Sequence, residues 1–239
     1  MNTSIIRYIL GHILKVEAFF MLLPCVVAVI YREPAEGLSF LVVLFLCGTV
    51  GILASVKKPA SSTFYLKEGC VATALGWILL SIFGAIPFVL TGEIPSFTDA
   101  LFETVSGFTT TGASILESPE SLSHCSLFWR SFTHWIGGMG VLVFLLAVVS
   151  LGGASNFNLM KAESPGPSVG KLVPKVQYTA RFLYLIYVLL TIIEFIFLIC
   201  GGMSVFDALT TSFGTACTGG CGVKNDSLMS YSPYIQWIE

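Results

Sequence analysis

Charge is what this sequence has least of. Only 11% of its 239 residues are Asp, Glu, Lys or Arg, against about 25% in an ordinary soluble domain. The 12 basic and 14 acidic residues nearly cancel, leaving a net charge of -2. There is no basic arm and no low-complexity tract, so nothing favours a nucleic-acid partner. The seven cysteines show no disulfide framework. Cys25, Cys47, Cys70 and Cys200 lie inside apolar runs and read as lipid-facing or core residues. His12 and His124 carry no pattern.

What is present is apolar sequence, 55% of the chain, and it implies an integral membrane protein. Five long runs stand out: Ile5–Ile30, Leu38–Val56, Cys70–Leu90, Trp129–Leu151 and Phe182–Cys200. Each is long enough to cross a hydrocarbon core of about 30 Å as a helix. None alternates as a strand does, so the fold class is all-α. Arg7 precedes the first run, but no small-x-small cleavage site follows it before Arg32, so this run reads as a retained helix rather than a signal peptide.

The basic residues orient the spans. Arg7, Lys15, Lys57, Lys58, Lys67, Lys161, Lys171, Lys175 and Arg181 all fall on one side if the N-terminus is cytoplasmic. The other side then holds Arg32, Arg130 and Lys224 among Glu33, Glu36, Glu93, Glu117, Glu120 and Asp226. The positive-inside rule favours the N-in arrangement. The stretch from Lys161 to Lys175, with Pro165, Pro167 and Pro174, reads as a stiff cytoplasmic connector, either a topology signal or a surface for a regulatory partner.

Between the third and fourth runs lies SGFTTTGAS, residues 106–114. It ends a segment, SFTDALFETVSGFTTTG from Ser96, that recurs as SVFDALTTSFGTACTGG from Ser204 at an offset of 108 residues. Ser96/Ser204, Asp99/Asp207, Ala100/Ala208, Leu101/Leu209, Thr110/Thr218 and Gly112/Gly220 are identical. Internal repeats are a mark of transport architecture. Ser-x-x-Asp at each start fits a helix N-cap, with the acid on the positive end of the helix dipole. Each copy therefore predicts a short helix entering from the outer interface, its carbonyl-bearing end pointing toward the membrane centre. The Thr/Gly segment beyond it suits a re-entrant loop lined with backbone carbonyls, which can replace a cation's hydration shell.

Other readings compete. The threonines could form an ordinary extracellular turn. CTGGCG from Cys217 is no phosphate loop, since no lysine follows the glycines. Cys217 and Cys221 could serve a membrane-embedded thiol enzyme, or bind metal, although two thiols without a nearby histidine make a poor site. Glu194, inside the fifth run, is a functional candidate by position, or a partner for a polar group on a neighbouring helix. Glu103 reads as a brace for the loop. Arg130 and His134 read as interface anchors. Gly137-Gly138-Met139-Gly140 gives a thin helix face for close packing.

Taken together, SGFTTTGAS, WRSFTHWIGGMGVLV from Trp129, KAESPGP from Lys161, MSVFDAL from Met203 and CTGGCG resemble the Trk/Ktr/HKT superfamily of cation transporters. The resemblance is closest to the bacterial TrkH type, which the two extra leading helices also match. It implies a potassium-translocating subunit with helix–pore-helix–helix repeats, four in one polypeptide around a single pore. Gly112 and Gly220 match the characteristic glycines of the first two filter segments. Thr110, Thr111, Thr218 and Gly219 would add carbonyl ligands for the potassium ion. The resemblance further implies a homodimer with a cytoplasmic nucleotide-binding regulatory subunit, in the bacterial inner membrane. The expected organisation is two transmembrane helices over 1–66, a first pore repeat over 67–152, a connector over 153–178 and an incomplete second repeat over 179–239. The chain has half the family's length. Trp237-Ile238 match Trp135-Ile136, but Glu239 stands where Gly137 leads one to expect glycine. A truncated chain, inactive by itself, is the expectation.

Overall fold

A computed structural model of the chain describes residues 2–59, 66–140 and 176–238. Among them there are helices and turns and no strand. The leading run is not one helix. It divides into α1 (Thr3–Phe20) and α2 (Leu22–Tyr31) at Met21. Pro24 explains the break: it offers no amide proton, and its ring crowds the carbonyl four residues back, at Phe20. The chain then turns at Arg32, whose φ is 61°, and α3 (Pro34–Ser55) returns alongside.

Helices α1 and α3 cross at paired glycines. A Cβ placed on Gly11 would lie 2.8 Å from the Gly51 carbonyl, and one on Gly51 would lie 2.9 Å from the Gly11 carbonyl. Close backbone approach through small residues is how helices associate in lipid, where apolar burial alone gives little drive. Helix α4 (Leu66–Thr91) is the third long helix, with Pro87 inside it. Further along the chain, α7 (Val176–Cys200) is the fourth. Thr3–Tyr31, Pro34–Ser55, Lys67–Thr91 and Ala180–Cys200 are long and apolar enough to cross a membrane. Their outer faces carry large exposed apolar side chains such as Val29, Phe45, Leu53 and Leu185, as lipid contact requires.

Two shorter helices complete the pattern. Helix α5 (Phe97–Phe108) follows α4, and α8 (Val205–Ala216) follows α7. Each has 12 residues, about 18 Å of helix at 1.5 Å per residue, too little to cross about 30 Å of hydrocarbon. Helix α6 (His124–Met139) lies between them, and α9 (Pro233–Ile238) is the last element. Residues 141–151 of the expected fourth span, and the Lys161–Lys175 connector, fall outside the described residues.

Helix α6 is the centre of the molecule. Its Trp129 is completely buried and donates from Nε1 to the Gly84 carbonyl of α4 at 3.0 Å. Phe128, Phe132 and Trp135 each stand within 6 Å of the Phe213 ring of α8. Trp135 also ties α6 to α7, donating to Thr191 Oγ1 at 3.1 Å, while the Tyr187 hydroxyl donates to the Trp135 carbonyl at 3.0 Å. Two distant carboxylates hold its N-terminus. Glu33 accepts from the His124 and Cys125 amides, both at 3.0 Å. Glu93 accepts from the Ser123 amide at 2.6 Å and from the Ser126 hydroxyl. Negative charge belongs at this positive end of the dipole.

Candidate functional site: two re-entrant loops around a common helix

The two short helices are built alike, residue for residue at the 108 offset. Ser96 Oγ accepts from the Asp99 amide at 3.4 Å, and Ser204 Oγ from the Asp207 amide at 3.1 Å. Both helices end in the same hydrogen-bonded turn. In the first, Thr110 N donates to the Gly107 carbonyl and Thr111 N to the Ser106 carbonyl, both at 2.9 Å. In the second, Thr218 N donates to Thr215 at 2.8 Å and Gly219 N to Gly214 at 3.0 Å. This is the Schellman pattern, which closes a helix through one left-handed residue, usually glycine. Here that residue is Thr110, φ 54°, and Thr218, φ 60°. A β-branched residue in that conformation is strained, and such strain persists where the surroundings over-determine it. Two residues later each loop has a glycine at positive φ, Gly112 at 76° and Gly220 at 66°.

These turns direct amide protons back into the helix and leave carbonyls behind. Among the described residues, the carbonyl oxygens of Thr110, Thr111, Thr218 and Gly219 accept no hydrogen bond. The loops also meet. A Cβ on Gly112 would overlap the Gly219 carbonyl. Cys221 Sγ donates to the Gly112 carbonyl at 3.6 Å. The fold thus brings Gly112 of the first loop against Gly219 and Cys221 of the second, although the copies stand 108 residues apart.

Helix α6 supports both loops, on two faces set by its 3.6-residue repeat. Toward the first loop, Thr133 fills the space beside Gly107, and Gly137 lies against the carbonyls of Gly107 and Phe108. Toward the second, His134 abuts Gly219 and Gly138 abuts Cys217. The thin glycine face expected from the sequence does pack against the loops. Arg130 and His134, expected as interface anchors, are instead 3% and 1% exposed. Arg130 Nε donates to Glu103 Oε1 at 2.5 Å, and its terminal nitrogen donates to the Gly222 carbonyl at 3.2 Å. Glu103 also accepts from Ser114 Oγ at 3.0 Å and from the Ile115 amide at 3.0 Å. One buried ion pair thereby clamps the return strands of both loops. Glu103 has the bracing position expected of it. Nothing in the sequence signalled Arg130, whose partner lies 27 residues away.

The outer segments join as well. Asn225 donates from its amide to Glu120 Oε1 at 3.1 Å and from its side chain to Ser118 Oγ at 3.0 Å. Below them Glu120, His124, Asp207, Lys224 and Asp226 line a cleft of about 620 Å³. The Tyr231 hydroxyl donates to Asp207 at 2.9 Å. Burial together with Asp207 raises the Tyr231 pKa, so the hydroxyl stays a donor.

Comparison with known proteins agrees with this geometry. The family model described as TrkH, cation transport protein, matches residues 38–239. The chain belongs to the TrkH family. It is 37% identical over 243 residues to the Trk system potassium uptake protein TrkH of Salmonella typhimurium, covering 100% of this chain and 50% of that protein. It is 34% identical over 241 residues to TrkG of Escherichia coli, covering 98% and 50%. The crystal structure of the potassium transporter TrkH from Vibrio parahaemolyticus superposes with a TM-score of 0.82 at 29% identity, covering all of this chain and 48% of that one. The chain spans about half the length of the curated relatives it matches. TrkH membership makes this a membrane protein of a transporter family, and it removes the thiol-enzyme reading of Cys217 and Cys221.

Proposed function

We propose that this chain forms part of a potassium-translocating pore, with the ion coordinated by backbone carbonyls of Thr110, Thr111 and Gly112 in one loop and Thr218, Gly219 and Gly220 in the other. The observation that carries it is the pair of Schellman turns with the same hydrogen bonds, in loops that touch where Gly112 meets the Gly219 carbonyl. Carbonyl dipoles held by a rigid frame replace water around a cation without reorganising. The dipoles of α5 and α8 add negative potential at the same place, since both helices end there. The relatives named as potassium uptake proteins support potassium as the substrate, carried rather than retained.

Two loops enclose part of a ring, and further filter segments complete it in the pore-forming assembly. The protein lies in the bacterial inner membrane with its N-terminus in the cytoplasm. It works as a homodimer with a cytoplasmic nucleotide-binding subunit, which the basic connector sequence from Lys161 to Lys175 would contact. The domain divisions at 1–66, 67–152 and 179–239 follow the two repeats.

The test is rubidium and sodium uptake by potassium-uptake-deficient cells producing the chain together with the further filter segments of the assembly. Gly112→Ala and Gly220→Ala should lower rubidium flux or the rubidium-to-sodium ratio while membrane insertion persists. Wild-type flux and ratio in both variants would sink the carbonyl-filter reading.

A further inference from the structure

We infer that Cys217 and His134 form a two-coordinate site for a soft monovalent cation, Ag⁺ or Cu⁺, behind the second loop. Cys217 closes α8, and its thiol is 3% exposed. His134 reaches it from α6, 83 residues earlier in the chain. His134 is 1% exposed, and among the described residues its Nδ1 has no hydrogen-bond partner. The two atoms flank the bare Cα of Gly219. A Cβ there would stand 2.6 Å from Nδ1 and 3.1 Å from Sγ, so nitrogen and sulfur are no further apart than the sum of those distances. The fold supplies the histidine that the sequence reading of these thiols lacked.

The donor set selects the ion. Among the described residues no group of three or more His, Cys, Asp or Glu side chains could hold a metal. A tetrahedral zinc centre needs four ligands, and the described residues supply no such group. A thiolate and an imidazole suit soft monovalent ions, which are satisfied by two. With the ring proton on Nε2, Nδ1 offers a lone pair. On binding, a sulfur–metal bond forms, the thiol proton leaves to water and the imidazole nitrogen makes the second bond. No oxidation state changes.

The consequence follows from what the thiol does now. Cys217 Sγ donates to the Gly214 carbonyl at 2.9 Å and accepts from the Gly219 amide at 3.3 Å. That same Gly214 carbonyl accepts the amides of Gly219 and Gly220. Metallation removes the thiol's donated bond and draws sulfur toward His134, moving the turn that sets the loop. Block of flux rests on the filter reading above, whereas binding itself does not.

The experiment uses silver nitrate and protein with Cys25, Cys70 and Cys200 replaced by serine. Silver K-edge absorption should show one sulfur and one nitrogen neighbour. Cys217→Ser should abolish this binding, Cys221→Ser should keep it, and His134→Asn should weaken it at least tenfold. In cells, silver should stop rubidium uptake by the parent and leave Cys217→Ser at its own silver-free rate. A two-sulfur environment, or equal binding by Cys217→Ser, overturns the site. If Cys217→Ser fails to fold, the absorption spectrum of the parent still decides. Silver bound as described in a pore-forming assembly without rubidium flux would overturn the filter reading and keep this one.

Discussion

Thr110 and Thr218 hold the left-handed position where a Schellman turn normally has glycine. A left-handed residue with a Cβ costs about 1–2 kcal/mol. Replacement by glycine releases that cost, but glycine loses about 0.5–1 kcal/mol more chain entropy on folding. Thr110→Gly and Thr218→Gly should therefore stabilise the fold slightly, by about 0.5–1 kcal/mol, while widening the backbone angles open to the loop and lowering ion discrimination. Thermal unfolding in detergent and the rubidium-to-sodium uptake ratio check the two halves separately. Lower stability in both variants would show that the threonines are not strained. The two glycines should also differ from each other. Gly220 has nothing within 4 Å of its Cβ position, whereas Gly112 meets the Gly219 carbonyl. Gly220→Ala should cost about 1–2 kcal/mol from its backbone angle alone. Gly112→Ala adds an overlap of about 1–3 kcal/mol and should be the more damaging in the same unfolding assay.

At the scale of elements, the informative contact is the Glu103–Arg130 pair, because it joins α5, α6 and both return strands. Its members are 1% and 3% exposed, so solvent screening is slight. Removing one partner strands a buried charge, at a cost of about 3–5 kcal/mol. Arg130→Met and Glu103→Gln should each destabilise by that order, and the double variant by clearly less than the sum. A denaturation cycle measures this; strict additivity would mean the pair is not coupled. The long helices, the repeat and the caps at Ser96 and Ser204 were legible in the sequence because they rest on local periodicity and spacing. The clamp was not, since Arg130 reads as an interfacial cation until Glu103 is seen beside it. The left-handed threonines were invisible for a similar reason: their angles are imposed by the packing of α6 against both loops. The division at Met21 could have been read from Pro24. The grip of Glu33 and Glu93 on α6 could not, for their partners lie 30 to 92 residues away.

For the whole molecule, the question the apolar surface leaves is which way it faces. Basic residues cluster at the starts of α1 and α4 and before α7, so the positive-inside rule predicts that those ends face the cytoplasm. The chain itself carries reporters at opposite ends of two helices. Cys70 is an exposed thiol in the first turns of α4, and Cys200 is an exposed thiol at the last residue of α7. With the N-terminus inside, α4 and α7 both run outward, so Cys70 is near the cytoplasmic face and Cys200 near the external face. The other five cysteines are buried or partly covered. A membrane-impermeant maleimide added to intact cells should label Cys200 and leave Cys70, and inside-out vesicles should reverse the result. Cys70→Ser and Cys200→Ser identify each labelled site. Labelling of Cys70 from outside would invert the topology. It would also turn the carbonyl ends of α5 and α8, and the cleft of Glu120, Asp207 and Asp226, toward the opposite side of the membrane. The carboxylates of that cleft would then face the cytoplasm, where they could not draw external cations toward the loops.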